Sequence, residues 1–269
     1  MSDPLDPTNP ELRVEFYKLY RDFFDRAERK RRWTVAEDIP WDEVNPNLDP
    51  AVADVVEAFC TVEMYLPDYI SKVMPLIRKN RGWAWFHANW GYEESKHSLA
   101  LGDWLLKSKL RTPEQMYDME DRVFDHEWNL PEDSPQGMMV YAMTQELATW
   151  VHYKNLRRRL DELGGDPCLS KLLDFISIDE RAHHTFYHRV VQMFLKLDRE
   201  TTVAALKRVL VGFSMPAVHL MADGAQRVAD IKELGIFSQD IFIDDVLRPI
   251  LETLGVNTKE FRKPKKMVV

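Results

Sequence analysis

The chain has 269 residues, 45% of them apolar and 11% aromatic, which is ample for a sizeable buried core. Its formal net charge of −8 speaks against a nucleic-acid binder, which needs a concentrated positive surface. Cys60 and Cys168 stand in unrelated contexts and imply no disulfide framework. No secretory leader and no apolar run near the roughly 18 residues of a membrane span are apparent, so a soluble cytoplasmic protein is expected.

Glycine is scarce, and leucine, alanine, glutamate, lysine and arginine fill long uninterrupted stretches, which predicts helix and no sheet. After a proline-rich lead-in, an amphipathic helix is expected from about Glu11 to Arg32, followed by an irregular connector from Trp33 to Pro50 on the surface. Pro50 opens a first core helix reaching about Lys79, with Val52, Val56, Phe59, Glu63 and Leu66 inward; Pro67 should distort it beside Glu63. A second runs from Gly82 to Ser108 with Trp83, Phe86, Trp90, Glu94, His97 and Leu101 on one stripe. A long crossover from Leu110 to Pro135 carries a short helix. The third core helix spans Gln136 to Leu163 with Met139, Met143, Glu146, Thr149, Trp150 and Tyr153 on a face, and ends at Gly164-Gly165. The fourth runs from Pro167 to Leu197 with Leu172, Phe175 or Ile176, Glu180, His183, Tyr187 and Val190 inside. One or two helices broken near Met215-Pro216 follow, then a closing helix at Asp244 to Thr253 and a basic tail.

The order is helix with Glu, helix with Glu-x-x-His, crossover, helix with Glu, helix with Glu-x-x-His. Residues three apart on a helix share a face, so Glu94 with His97 and Glu180 with His183 point inward together. One such pair is weak; two pairs plus Glu63 and Glu146, each replacing an apolar residue, form the ligand set of a carboxylate-bridged dinuclear site. Four buried carboxylates and two imidazoles require cations, and this donor set suits iron or manganese rather than zinc. Glu63 and Glu146 take the terminal positions, Glu94 and Glu180 the bridging ones, and His97 and His183 complete the two shells. The six remaining histidines, His87, His126, His152, His184, His188 and His219, read as surface or satisfied core residues.

The same positions resemble the soluble acyl-acyl carrier protein desaturases. Glu63-Met64-Tyr65-Leu66-Pro67-Asp68-Tyr69 resembles that family's Glu-Glu-Ala-Leu-Pro-Thr-Tyr, and Trp90 with Glu93-Glu94-Ser95-Lys96-His97 resembles its Trp and Glu-Glu-Asn-Arg-His. Gln145-Glu146-Leu147-Ala148-Thr149 resembles Gln-Glu-Arg-Ala-Thr, and Asp179-Glu180-Arg181-Ala182-His183 with Tyr187 resembles Asp-Glu-Lys-Arg-His and its following Tyr. Ser214-Met215-Pro216-Ala217 with His219-Leu220-Met221 and Asp223-Gly224 resembles Ser-Met-Pro-Ala-His-Leu-Met-Tyr-Asp-Gly. The resemblance covers about residues 30 to 225. Met64 replaces a second acidic residue, the loop between the first two core helices is short, and the long C-terminal extension of the plant enzymes is missing.

The resemblance implies an all-α, ferritin-like four-helix bundle with added terminal helices: residues 1–50 as N-terminal helix and connector, 51–197 as the metal-binding bundle, 198–269 as C-terminal helices and tail. It implies two iron ions, with manganese as substitute, and a reaction in which a ferredoxin-like donor and O2 introduce a cis double bond into an acyl chain on acyl carrier protein. Thr149 matches a threonine on the oxygen-binding side, with back-bonding to its own helix as the plain alternative. Asp179 is expected to accept a hydrogen bond from His97, and Trp33 to lie near that pair, on an electron route or as a packing anchor. Met139, Met143 and Trp150 are candidates for the apolar channel, and the basic run at 26–32 for docking an acidic carrier; a homodimer is expected. The competing readings are a di-iron hydroxylase or oxidase, a ferroxidase or iron-storage protein, and a radical-generating reductase subunit.

Overall fold

A computed structural model describes residues 3–221 and 223–261, and every regular element among them is helical. The helices are α1 (Pro10–Lys30), α2 (Pro50–Met64), α3 (Leu66–Ile77), α4 (Arg81–Lys107), α5 (Pro113–Phe124), α6 (Pro135–Arg159) and α7 (Pro167–Leu197). They are followed by α8 (Arg199–Gly212), α9 (Gly224–Glu233), α10 (Gln239–Ile241) and α11 (Arg248–Leu254), the last two joined by a π-helical stretch, Phe242–Leu247. The basic tail from Arg262 lies outside the described residues. None of the described helices is long and apolar enough to cross a membrane.

Helix starts follow from local chemistry. Pro10, Pro50, Pro113, Pro135 and Pro167 each take a first helical position, where the missing N–H costs nothing, behind Asn9, Asp49, Thr112, Ser134 and Asp166, whose side chains cap the helix. The expected first core helix divides at Tyr65. Pro67 has no N–H for the Glu63 carbonyl, the Tyr65 N–H turns back to the Val62 carbonyl at 3.3 Å, and the Tyr69 hydroxyl donates to that same carbonyl at 2.9 Å. Glu63 therefore sits in the last turn of α2, beside the break.

Helices α2, α4, α6 and α7 form the ferritin-like bundle, with α6 packed along α7 and α2 along α4. Two apolar clusters fill it. One gathers Phe16, Trp83, Phe86, Met139, Phe186 and Phe194; the other gathers Val56, Leu101, Trp104, Tyr153, Leu156 and Leu172. On α4 the stretch between Trp90 and Ala100, and on α7 the stretch between Ile176 and Phe186, add no buried apolar residue to either, and these stretches hold the Glu-x-x-His pairs. The connector after α1 does not simply ride on the surface as expected: it sends Trp33, Ile39 and Leu48 into the second cluster, at 4% exposure or less.

Helix α1 crosses α4 at Gly82, where an added Cβ would stand 2.4 Å from the Phe16 carbonyl carbon, and the Phe16 ring stacks on Trp83 at 4.7 Å. No flexible side chain can yield there, because the obstacle is backbone. Gly82→Ala is expected to lower the unfolding free energy by about 1–3 kcal/mol in urea denaturation. Gly212→Ala, where a Cβ meets nothing within 4 Å, should instead be neutral or stabilising by up to about 1 kcal/mol.

Candidate metal centre

Glu63 on α2, Glu94 and His97 on α4, Glu146 on α6, and Glu180 and His183 on α7 converge in the polar layer, each at most 5% exposed. Their potential ligand atoms form two overlapping sets of four. Glu63, Glu94, His97 and Glu180 make one and Glu94, Glu146, Glu180 and His183 the other, with the ligand atoms of each set within 4.8 Å of one another. Glu94 and Glu180 belong to both sets.

The orientation of the imidazoles is fixed from outside. His97 Nε2 lies 3.4 Å from Asp179 Oδ2, and His183 Nε2 lies 2.7 Å from Glu93 Oε2. A carboxylate at Nε2 calls for a proton on that nitrogen, which leaves the Nδ1 lone pair facing inward. His97 Nδ1 is 3.3 Å from oxygens of both Glu94 and Glu180, and His183 Nδ1 is 2.9 Å from Glu94 and 3.3 Å from Glu146. None of these contacts has hydrogen-bond geometry. Glu94 Oε1, His97 Nδ1, Glu146 Oε2, Glu180 Oε1 and His183 Nδ1 are buried without a hydrogen-bond partner, five of only seven such side-chain atoms among the described residues. A convergence of unpartnered donors with carboxylate and imidazole chemistry fits a pair of iron or manganese ions.

The remaining oxygens are held. Tyr153 donates to Glu63 Oε1 at 2.7 Å and Trp90 Nε1 to Glu146 Oε1 at 2.9 Å. Asp179 also accepts from Trp33 Nε1 at 2.8 Å and from Arg31, while Glu93 is paired with Arg31 and Arg32. Burial acts against the Asp179 charge, but the hydrogen bond and charge of His97, with Arg31, pull its carboxyl down to about 2. Burial and the neighbouring Glu94 charge push Glu63 well above the ordinary carboxylate range, and burial with Glu94 and Glu146 does the same to Glu180. Burial would lower His97 and His183, but the surrounding carboxylates outweigh it and raise both.

Besides the Asp179–His97 contact, the Trp33 ring lies parallel to His97 with centroids 6.4 Å apart. The role of Glu93 is not evident from α4 alone, although its signal is in the sequence: an acid precedes the Glu of each Glu-x-x-His pair, and each of these two acids holds the histidine of the opposite helix. Arg31 and Arg32, expected in a docking run, turn inward on these acids; Arg26 pairs with Asp22 and Arg29 bonds the Asp25 carbonyl, so the run is largely engaged within the chain. Thr149 donates to the Gln145 carbonyl at 3.0 Å in the back-bonded arrangement and lines a cavity with Phe59, Glu63 and Tyr153. Of the channel candidates, Met139 lines a second cavity with Tyr69, Trp90, Tyr141 and Tyr187; Met143 is fully buried outside it, and Trp150 is half-buried under Lys154 and Arg181. Five other histidines bond elsewhere: His87 with Tyr69 O, His126 with Arg122 O, His152 with Ala148 O, His184 with Met143 O and His188 with Thr253; His219 is exposed.

The fold and this polar layer define a ferritin-like helical protein with a buried carboxylate and histidine cluster. Residues 41–262 match the model of the fatty acid desaturase family, and the chain belongs to that family. It is 24% identical over 229 residues to DesA1 of Mycobacterium tuberculosis, named for acyl-[acyl-carrier-protein] desaturation, covering 82% of this chain and 66% of that one. It is 31% identical over 172 residues to the chloroplastic stearoyl-[acyl-carrier-protein] 9-desaturase 1 of rice, covering 60% of this chain and 44% of the rice protein. The matches thus span less than two thirds of the length of either relative. The structure of DesA2 from Mycobacterium tuberculosis H37Rv superposes with a TM-score of 0.69 at 18% identity, over 91% of this chain and 95% of that one. An R2-like ligand-binding oxidase variant with an Mn/Fe cofactor superposes with a TM-score of 0.57 at 16% identity, covering 91% and 92%; both likenesses bear on the fold alone.

Raised carboxylates and imidazoles hold protons that a cation must displace. Anaerobic Fe2+ or Mn2+ titration in weakly buffered solution near neutral pH should release protons, and affinity should rise with pH. Removing either outer acid, in Glu93→Gln or Asp179→Asn, should weaken metal binding by about 10–100-fold in the same titration.

Proposed function

We propose that the chain is an O2-dependent desaturase that introduces a cis double bond into a carrier-bound fatty acyl chain. In this reading Glu63, Glu94, His97, Glu146, Glu180 and His183 hold two iron ions, with manganese able to substitute. The observation that carries it is the set of five unpartnered, buried carboxylate and imidazole atoms, in a chain of the fatty acid desaturase family. When bound, the metals supply an oxidant for unactivated C–H bonds that no side chain provides. Two hydrogens leave adjacent methylenes, two electrons come from a ferredoxin-like donor and two protons from solvent, and O2 leaves as two waters.

The chain's own residues supply positioning, protons and dryness. Asp179 and Glu93 keep both imidazoles in one tautomer and one orientation. The cavity bounded by Tyr69, Trp90, Met139, Tyr141 and Tyr187 offers an apolar place for methylenes next to Glu146, which Trp90 holds, and its aromatic walls exclude water. Met143 and Trp150 are not among the residues that line it. Thr149, on the Glu63 side, is proposed to pass protons after its hydroxyl rotates off the Gln145 carbonyl. The stacked Trp33 and His97 rings offer a route for electrons. The acyl carrier is proposed from the relatives' names, acyl carrier protein rather than coenzyme A; a cytoplasmic homodimer is proposed as the working form.

Reduced, iron-loaded protein incubated with a panel of acyl carriers is expected to yield an alkene without retained oxygen, read by mass spectrometry. An alcohol product would replace desaturation with hydroxylation, and a large cage in size-exclusion chromatography would favour iron storage. Glu180→Ala and His183→Ala should each lower bound iron below two per chain and stop turnover, and unchanged iron stoichiometry in both would refute the ligand assignment.

A further inference from the structure

The six histidines outside the metal cluster are not alike. His87, on α4, is 3% exposed and lines the cavity bounded by Tyr69, Trp90, Met139, Tyr141 and Tyr187. Its ring lies parallel to that of Trp90 with centroids 5.1 Å apart, and Trp90 in turn holds Glu146, so a single indole separates this imidazole from a metal ligand. His87 Nε2 is 3.2 Å from the Tyr69 carbonyl oxygen. A carbonyl only accepts, so Nε2 carries the proton. Burial pushes the imidazole down to about 4, so near neutral pH its second nitrogen, Nδ1, is a bare lone pair. Nδ1 has no partner among the described residues and is not one of the side-chain atoms sealed inside the protein, so it opens into the cavity that His87 lines.

The rest of the wall narrows what can satisfy that lone pair. The Tyr69 hydroxyl donates to the Val62 carbonyl at 2.9 Å and the Tyr141 hydroxyl to the Ser214 carbonyl at 3.2 Å, so both protons are already used. The Tyr187 hydroxyl and the Gln145 amide line the same cavity and make no hydrogen bond among the described residues, which adds donors to the acceptor. No charged side chain lines the cavity, so an ammonium or carboxylate would be buried there without a counter-ion in the wall. Methylenes alone would leave the imidazole lone pair desolvated and unpaired, a cost that phenylalanine or leucine at this position would not carry. An alcohol O–H donates to Nδ1 and also accepts from a phenol or an amide, whereas a ketone or ether only accepts. We propose that this cavity recognises a hydroxyl group on the acyl chain, His87 Nδ1 accepting its hydrogen bond, so that hydroxylated acyl chains are the preferred substrates. The acyl identity of the ligand rests on the desaturase reading; the hydroxyl site follows from the cavity.

Binding and turnover by the metal-loaded full chain test this separately. Pentan-2-ol and pentan-2-one match in size and differ in the donor, and equilibrium dialysis should show the alcohol binding about tenfold or more tighter. His87→Gln, whose amide N–H replaces Nε2–H at the Tyr69 carbonyl, and His87→Phe, which keeps a flat ring beside Trp90, each withdraw the Nδ1 acceptor. Both should bring the two affinities level with unchanged circular dichroism. Ala142→Leu, which adds bulk to the cavity wall, should weaken both probes. In turnover, a panel of carrier-bound acyl chains of one length, with the hydroxyl at successive carbons, should include a position whose kcat/KM exceeds that of the unsubstituted chain by about tenfold, and neither His87 variant should keep that advantage. Equal binding of alcohol and ketone by the native chain, or a preference that survives both His87 variants, would overturn the proposal. An intact alcohol preference with no acyl carrier consumed would instead overturn the desaturase reading and uphold the hydroxyl site.

Discussion

Charge buried between two apolar cores is the constraint on which the arrangement depends. Six ionisable side chains, four of them carboxylates, sit at 5% exposure or less in one layer. Isolated charges of this kind cost several kcal/mol each, so the layer is tolerable only when compensated by cations or by shared protons. The raised Glu63 and Glu180 carboxyls and the raised His97 and His183 show the proton solution. The unpartnered inner atoms mark the cation solution, and the two exchange with one another.

Around that layer the outer acids tie the two halves together. Asp179 stands next to Glu180 on α7 but holds His97 of α4; Glu93 stands next to Glu94 on α4 but holds His183 of α7. Arg31 reaches both acids from the end of α1, and Arg32 adds a second pairing to Glu93. Neither half can move without disturbing the orientation of the other's imidazole, which is how a bundle made of four separate helices keeps one geometry. The N-terminal helix is therefore part of the centre's support, and the 2.4 Å approach of its backbone to the position of a Gly82 Cβ fixes where it crosses.

Much of this was legible in the sequence because helical spacing is local. The stripe Trp83, Phe86, Trp90, Glu94, His97 and Leu101 is buried throughout, and the starts of α2 and α7 at Pro50 and Pro167 follow from one residue and its cap. What escaped depends on distances between helices. The acid that meets His183 cannot be chosen from α4 alone, and a run of arginines looks the same whether it faces solvent or turns inward at its last two members. The prolines of the connector from Trp33 to Pro50 suggest a surface segment, whereas Trp33, Ile39 and Leu48 anchor it in the core. Pro67 signalled a distortion, but its size, a full break at Tyr65, depended on Tyr69 being able to reach the Val62 carbonyl.

The central claim is that these six side chains form one two-metal centre. Diffraction from crystals of the iron-loaded chain, recorded on both sides of the iron absorption edge, tests it directly. The account predicts two anomalous peaks per chain, one contacted by Glu63, Glu94, His97 and Glu180 and one by Glu94, Glu146, Glu180 and His183. A single peak, or peaks away from this cluster, would contradict it.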